Sequence, residues 1–134
     1  MQSLLFSLII LITIAGCKNS AIEKKLSGAD SLVITFNTPN SDSIVKTVST
    51  TENNAINKVV DFIDNKPAKE FKCGYDGNLI FFSRGQVLLP VVFKYKEANC
   101  RHFIFELNGK LMSVKMNNEA ADFLESLEEG KIYY

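Results

Sequence analysis

Arg101-His102-Phe103-Ile104-Phe105-Glu106-Leu107-Asn108-Gly109-Lys110-Leu111-Met112-Ser113-Val114-Lys115-Met116 is the stretch that decides the fold. Asn-Gly between two apolar runs signals a tight β-hairpin, because both residues of such a turn take positive φ. A two-residue loop pairs Leu107 with Lys110, Phe105 with Met112 and Phe103 with Val114. Phe103, Phe105, Met112 and Val114 then share a wholly apolar face. Ile104, Glu106, Leu111, Ser113 and Lys115 share the opposite, mixed face, so the register is self-consistent.

Working outward toward the N-terminus, Glu97-Ala98-Asn99 makes a turn. Val87 to Lys96 is a long strand. Pro90 lies inside it and, lacking an N–H, belongs at a bulge or on an unpaired side. Arg84-Gly85 is a tight turn back to a short apolar strand, Leu79 to Phe82. The polar run Phe71 to Asn78, with two glycines, is a structured loop. Toward the C-terminus, Asn117 or Asn118 can cap a helix bearing Ala120, Phe123, Leu124 and Leu127 at helical spacing, with Gly130 as its stop. The tail Lys131-Ile132-Tyr133-Tyr134 either packs back on the sheet or frays.

The first half is also two-layered in pattern, strands followed by a helix. Ser31 to Asn37 alternates Leu32, Ile34 and Phe36 and reads as a strand. Thr38 to Asp42 is a turn cluster, and Ile44 to Thr50 is the partner strand. Thr50 or Thr51 caps a helix whose Ile56, Val59, Val60 and Ile63 form one apolar stripe, ended by Pro67. The order is ββαββββα. We expect an α+β two-layer sandwich: an antiparallel sheet of about six strands with two helices on one face. That order is similar to helix-grip and TATA-binding-protein-like arrangements, a likeness of fold that carries no function.

The N-terminus is of another kind. Leu4 to Ile14 is an apolar run of signal-peptide length, too short to span a bilayer comfortably, and it closes on Ile14-Ala15-Gly16-Cys17; an uncleaved N-terminal anchor or a buried core helix is the alternative reading. An aliphatic residue, two small residues and a cysteine resemble the lipobox of bacterial lipoproteins. No Lys or Arg precedes the run, a departure from the usual signal peptide. The resemblance implies that the Cys17 thiol receives a diacylglycerol, a palmitate-type lipid, and that a signal peptidase then cleaves before Cys17. Two or three chains on one cysteine hold a protein at a membrane stably, where a single chain does not. Lys18, where Asp would imply inner-membrane retention, implies the outer membrane. With Cys73-Gly74-Tyr75-Asp76-Gly77, the lipobox also makes the chain similar to small Bacteroidota-type lipoproteins, a likeness that implies no activity. The expected organisation is a signal peptide over 1–16, a lipidated cysteine and tether over 17–29, and a single domain over 30–134. A turn of helix is expected at Ile22 to Leu26.

After the signal, about 118 residues remain, enough for one domain with a real core. Fifteen basic and fifteen acidic side chains balance, which argues against the basic footprint of a nucleic-acid binder. With Cys17 lipidated, Cys73 and Cys100 remain, and an even pair in an exported domain points to a disulfide. In an antiparallel meander the Val87 strand lies between them. Strands on either side of an intervening one are about 10 Å apart, so the Cys73 loop must fold over the sheet's end.

Catalytic patterns do not emerge. His102 is the only histidine and falls on the mixed face, where it reads as a surface residue. Neither zinc-ligand spacing nor a carboxylate-rich calcium loop occurs, and Gly74 to Gly77 enters a strand rather than a helix, so it is no phosphate loop. No cofactor and no catalytic or metal-ligating residue is assigned, and an enzyme is not the expected reading. Two functions are weighed: a lipid-anchored envelope module that binds or inhibits a protein, peptide or glycan partner, and a structural or accessory subunit of an envelope complex. If Arg84-Gly85 is a two-residue turn, Phe81 pairs with Leu88, and Leu79, Phe81 and Leu88 point away from the helices with Ile104 and Leu111. Those five are the candidate partner surface, with Ile80 and Phe82 on the helix side. A wider turn would instead bury Phe81, and the Phe71 loop or Tyr133 and Tyr134 could cover the face.

Overall fold

The computed structural model describes residues 20–69 and 73–131. The expected signal segment and lipidation site, including Cys17, lie outside these residues, as do Phe71, Tyr133 and Tyr134. Within them the order is α1 (Ala21–Leu26), β1 (Ser31–Asn37), β2 (Ile44–Thr50), α2 (Asn53–Ile63), β3 (Gly77–Ser83), β4 (Gln86–Lys94), β5 (His102–Leu107), β6 (Lys110–Lys115) and α3 (Asn118–Glu128), with a 3-10 turn at Ala98–Cys100. The six strands form one antiparallel sheet in the order β2-β1-β3-β4-β5-β6. The expected α+β sandwich is observed, with a third helix added.

That helix, α1, occupies the stretch read as tether. Ser20 caps it by accepting the Glu23 N–H at 3.1 Å, and Ile22 and Leu26 are buried with the rest of the core. Residues 21–29 therefore belong to the domain. Two buried apolar side chains one turn apart outweigh the polar character that suggested a linker.

Turns fix the meander. Asn108 and Gly109 both take positive φ, 53° and 76°, and the β5–β6 register pairs Leu107 with Lys110 and Phe103 with Val114 as expected. Arg84 and Gly85 form a second turn of the same kind, with φ of 51° and 74°. Asp30 supports it by accepting the Arg84 N–H at 2.7 Å.

The β3–β4 ladder then departs from the expected register. Phe82 pairs with Val87, but Phe81 pairs with Leu89, because β4 carries one extra residue at Leu88. The bulge puts Leu79 and Phe81 on the helix side with Leu89, Val91 and Phe93, all essentially fully buried. Ile80 and Phe82, expected beneath the helices, lie on the outward face. Pro90 pairs with Ile80 just outside the β4–β5 ladder, which spans Val91 to Lys94, so a missing donor on that side leaves no ladder bond unmade.

α2 and α3 lie together on the inner face, with the Phe62 and Phe123 ring centroids 5.4 Å apart. Neither Thr50 nor Thr51 caps α2. Glu52 holds the N-cap position without a side-chain bond, and the Thr50 hydroxyl instead accepts the Glu52 N–H at 3.1 Å. Asn117 does cap α3, accepting the Ala120 N–H at 2.8 Å. At its far end Gly130, with φ 73°, donates to the Leu127 carbonyl at 3.1 Å and Lys131 donates to Ser126 at 2.8 Å, the paired bonds of a Schellman stop. Glu128 ties that end to the sheet. Its carboxylate accepts the Tyr95 hydroxyl and the Lys96 ammonium, and its carbonyl accepts Lys46 Nζ at 3.0 Å.

The observed register separates two neighbouring phenylalanines. Phe81→Ala should lower the unfolding free energy by about 3–5 kcal/mol, the usual cost of deleting a buried aromatic. Phe82→Ala, half-buried on the outward face, should cost less than about 2 kcal/mol. Urea unfolding of both variants measures the difference, and a reversed order would contradict the bulge.

Candidate partner surface

The helices contribute to one core cluster on one face, which leaves the other face for solvent or a partner. Of the five residues expected there, Ile104 is half-buried on the outward face and Leu111 is 61% exposed at its rim. Leu79 and Phe81 are core residues, and Leu88, at the bulge, packs partly against the same core. Pairing with Ile34 and Leu32 of β1 turns Leu79 and Phe81 inward, and the bulge that aligns β4 with them displaces Leu88 from the expected register.

Register supplies the residues that replace them. Val33 pairs with Ile80, Ile80 with Pro90, and Val92 with Ile104. Phe82 pairs with Val87 at the sheet's end, where Val87 is 56% exposed. The outward face thus carries a half-buried apolar patch centred on Ile80, Phe82, Val92 and Ile104. Sequence held one signal for it: the alternation of Leu32, Ile34 and Phe36 in β1, once β1 is paired with β3.

At the other end the same face turns polar and is covered. Asn37 at the end of β1, Asp76 just before β3, Lys94 in β4 and His102 in β5 follow one another across the sheet, and all are at least 96% buried. The Asp76 carboxylate accepts Lys94 Nζ at 3.1 Å, the Tyr95 N–H at 2.8 Å and the Lys96 N–H at 3.0 Å. Lys94 also contacts Glu97 at 3.2 Å. His102 was expected at the surface. It is covered, and its Nδ1–H donates to the Cys100 carbonyl.

What closes this end is the disulfide between Cys73 and Cys100, whose Cα atoms lie 6.1 Å apart although β4 separates β3 from β5. The Cys73 loop folds across the sheet's end, as the strand spacing requires. Gly77, where that segment enters β3, tolerates no side chain: a Cβ would sit 2.0 Å from the Thr35 carbonyl oxygen and 2.5 Å from the Phe93 ring.

Burial alone would push the Asp76 carboxyl up. The Lys96 and Tyr95 N–H groups and the Lys94 ammonium outweigh it, holding the group below the usual carboxylate range. Burial likewise opposes the charge on Lys94, but its bonds to Asp76 and Glu97 raise its pKa overall. Paired and enclosed, these charges hold a loop in place. Among the described residues, no group of three or more His, Cys, Asp or Glu side chains is placed to hold a metal ion.

Neither a protein-family model, nor a curated protein, nor a solved structure matches the chain.

Asp76→Asn should cost about 3 kcal/mol at neutral pH, because it leaves the buried Lys94 ammonium with only the solvent-exposed Glu97 carboxylate as counter-charge. The native carboxyl titrates below its unfolded value, so its contribution is complete at neutral pH and is lost as acid protonates it, below about pH 4. Denaturant unfolding of both proteins from pH 7 to pH 2 should show the wild type's advantage shrinking with acid. A constant difference would place the contribution outside the ion pair.

Proposed function

We propose that the chain is a lipid-anchored protein of the bacterial cell envelope, tethered through Cys17 and using its outward sheet face to bind or inhibit an envelope protein or peptide. The anchor reading rests on the apolar run that closes on Ile14-Ala15-Gly16-Cys17. Outer-membrane placement rests on Lys18 alone, through the sorting rule. A paired Cys73 and Cys100 suits an oxidising compartment.

One observation carries the binding reading. Ile80, Phe82, Val92 and Ile104 lie together on a face to which the helices of the core cluster do not belong, with Val87 and Leu111 more than half exposed at its edges. Contiguous apolar surface of this kind marks interaction sites in soluble domains.

A photoreactive residue in place of Ile104, in the full chain in intact cells, tests it. One discrete cross-linked product, absent when the probe replaces exposed Asn57 on α2, is the expected result. Equal labelling from both positions would remove the outward face from the proposal. Several co-purifying envelope products would favour the accessory-subunit reading. Cys17→Ser separately tests the anchor, and normal processing with retention in the membrane fraction would overturn it.

A further inference from the structure

The two edges of the sheet are treated differently. At the β6 edge, residues 66–68 run alongside the last strand. Pro67 bridges to Val114, the Ala68 N–H donates to the Ser113 carbonyl at 2.9 Å, and the Lys115 N–H donates to Lys66 at 2.8 Å. At the β2 edge, among the described residues, no segment pairs with the side turned away from β1.

Two features that blunt an edge, a bulge and a lysine, occur in β2 but leave most of the strand free to pair. Ile44-Val45-Lys46-Thr47-Val48-Ser49-Thr50 is seven residues long, mostly β-branched, with neither proline nor acid. Its register irregularity against β1 lies at the Ile44 end. Ile44 and Val45 are 59% and 60% exposed. An edge lysine normally discourages pairing, but Lys46 directs its ammonium beneath the sheet to the Glu128 carbonyl, away from an incoming strand.

We propose that β2 pairs antiparallel with β2 of a second copy of this chain, about a two-fold axis through Thr47. The strand's own sequence selects that partner and that register. With Thr47 opposite Thr47, all seven residues overlap: Ile44 faces Thr50, Val45 faces Ser49 and Lys46 faces Val48. Apolar and hydroxyl side chains meet one another and no like charges oppose, while cross-strand threonine pairs are favourable in themselves. An axis through Lys46 would oppose two ammonium groups. An axis through Val48 would leave Ile44 facing Glu52, outside the strand. An axis between residues is barred, because neighbouring pairs of an antiparallel ladder alternate in type and cannot be symmetry mates. The two sheets join into one, with both helix layers on the same side and the two outward faces forming a continuous surface. One strand pair buries little area, so the dimer is weak and concentration-dependent.

Charge swaps at the axis test this on the full chain in mild detergent, followed by sedimentation. The wild type should self-associate as concentration rises. Thr47→Lys and Thr47→Glu should each weaken association at least tenfold, since either places like charges face to face. An equimolar mixture of the two should restore it, a result that misfolding cannot produce. As a second measurement, Thr47→Cys should cross-link to a dimer on mild oxidation, since directly opposed strand positions lie within disulfide reach. Lys46→Cys should not. A wild type that stays monomeric, single variants that associate as the wild type does, a mixture that fails to recover, or equal cross-linking from positions 46 and 47 would each overturn the proposal, whatever other strand binds this edge.

Discussion

Leu79 and Phe81 in β3 must share a face with Leu89, Val91 and Phe93 in β4, and a two-residue turn at Arg84 and Gly85 forbids it. Counted from that turn, odd-numbered residues of one strand meet even-numbered residues of the other. Without correction, Pro90 and Val92 would enter the core and Phe93 would leave it. The extra residue at Leu88 resolves the conflict. It aligns the apolar rows of β3 and β4 and, through the pairing of Val91 with Phe105, those of β5 and β6. It also determines what remains outside, so the outward patch follows from the same single-residue offset.

Legibility in the sequence followed the range of the interaction. The Asn108-Gly109 hairpin, the Asn117 cap and the Gly130 stop were readable because each is decided within a few residues by the φ a residue accepts or the N–H its side chain can reach. Cys73 and Cys100 were readable by elimination, once Cys17 was set aside. Strand facing in β3 was not. Leu79-Ile80-Phe81-Phe82 is apolar at every position, so its alternation carries no preference, and only the pairing with β1 selects the odd residues. His102 was placed on the correct face and in the wrong environment, because a disulfide brings Cys73, from about thirty residues earlier in the chain, to that end of the sheet. For α1, two buried residues in a short polar helix gave too faint a period to separate it from a tether.

The polar row from Asn37 to His102 shows how the outward face can be closed at one end and open at the other. A sheet end that buries a carboxylate and an ammonium needs each to satisfy the other, and needs a cover to exclude water from both. The disulfide fixes the cover and the Asp76 carboxylate fastens its base to the turn after β4. Apolar outward residues lie only beyond the reach of this loop, which gives the face a definite rim.

The β1–β3 ladder has a consequence for how the chain comes together. β3, β4, β5 and β6 are joined by short connections, two of them tight turns, and β1 meets β2 across another short loop. Among the ladders between the six strands, only the β1–β3 seam joins distant parts of the chain, pairing residues 31–36 with residues 77–82 across the whole of α2. Closing so long a loop costs entropy before any contact repays it. The meander and the β1–β2 ribbon are thus quick, local assemblies, and their union sets the pace of folding. The covalent link lies wholly within the meander and does nothing to hold that seam, so under load the sheet should part between β1 and β3.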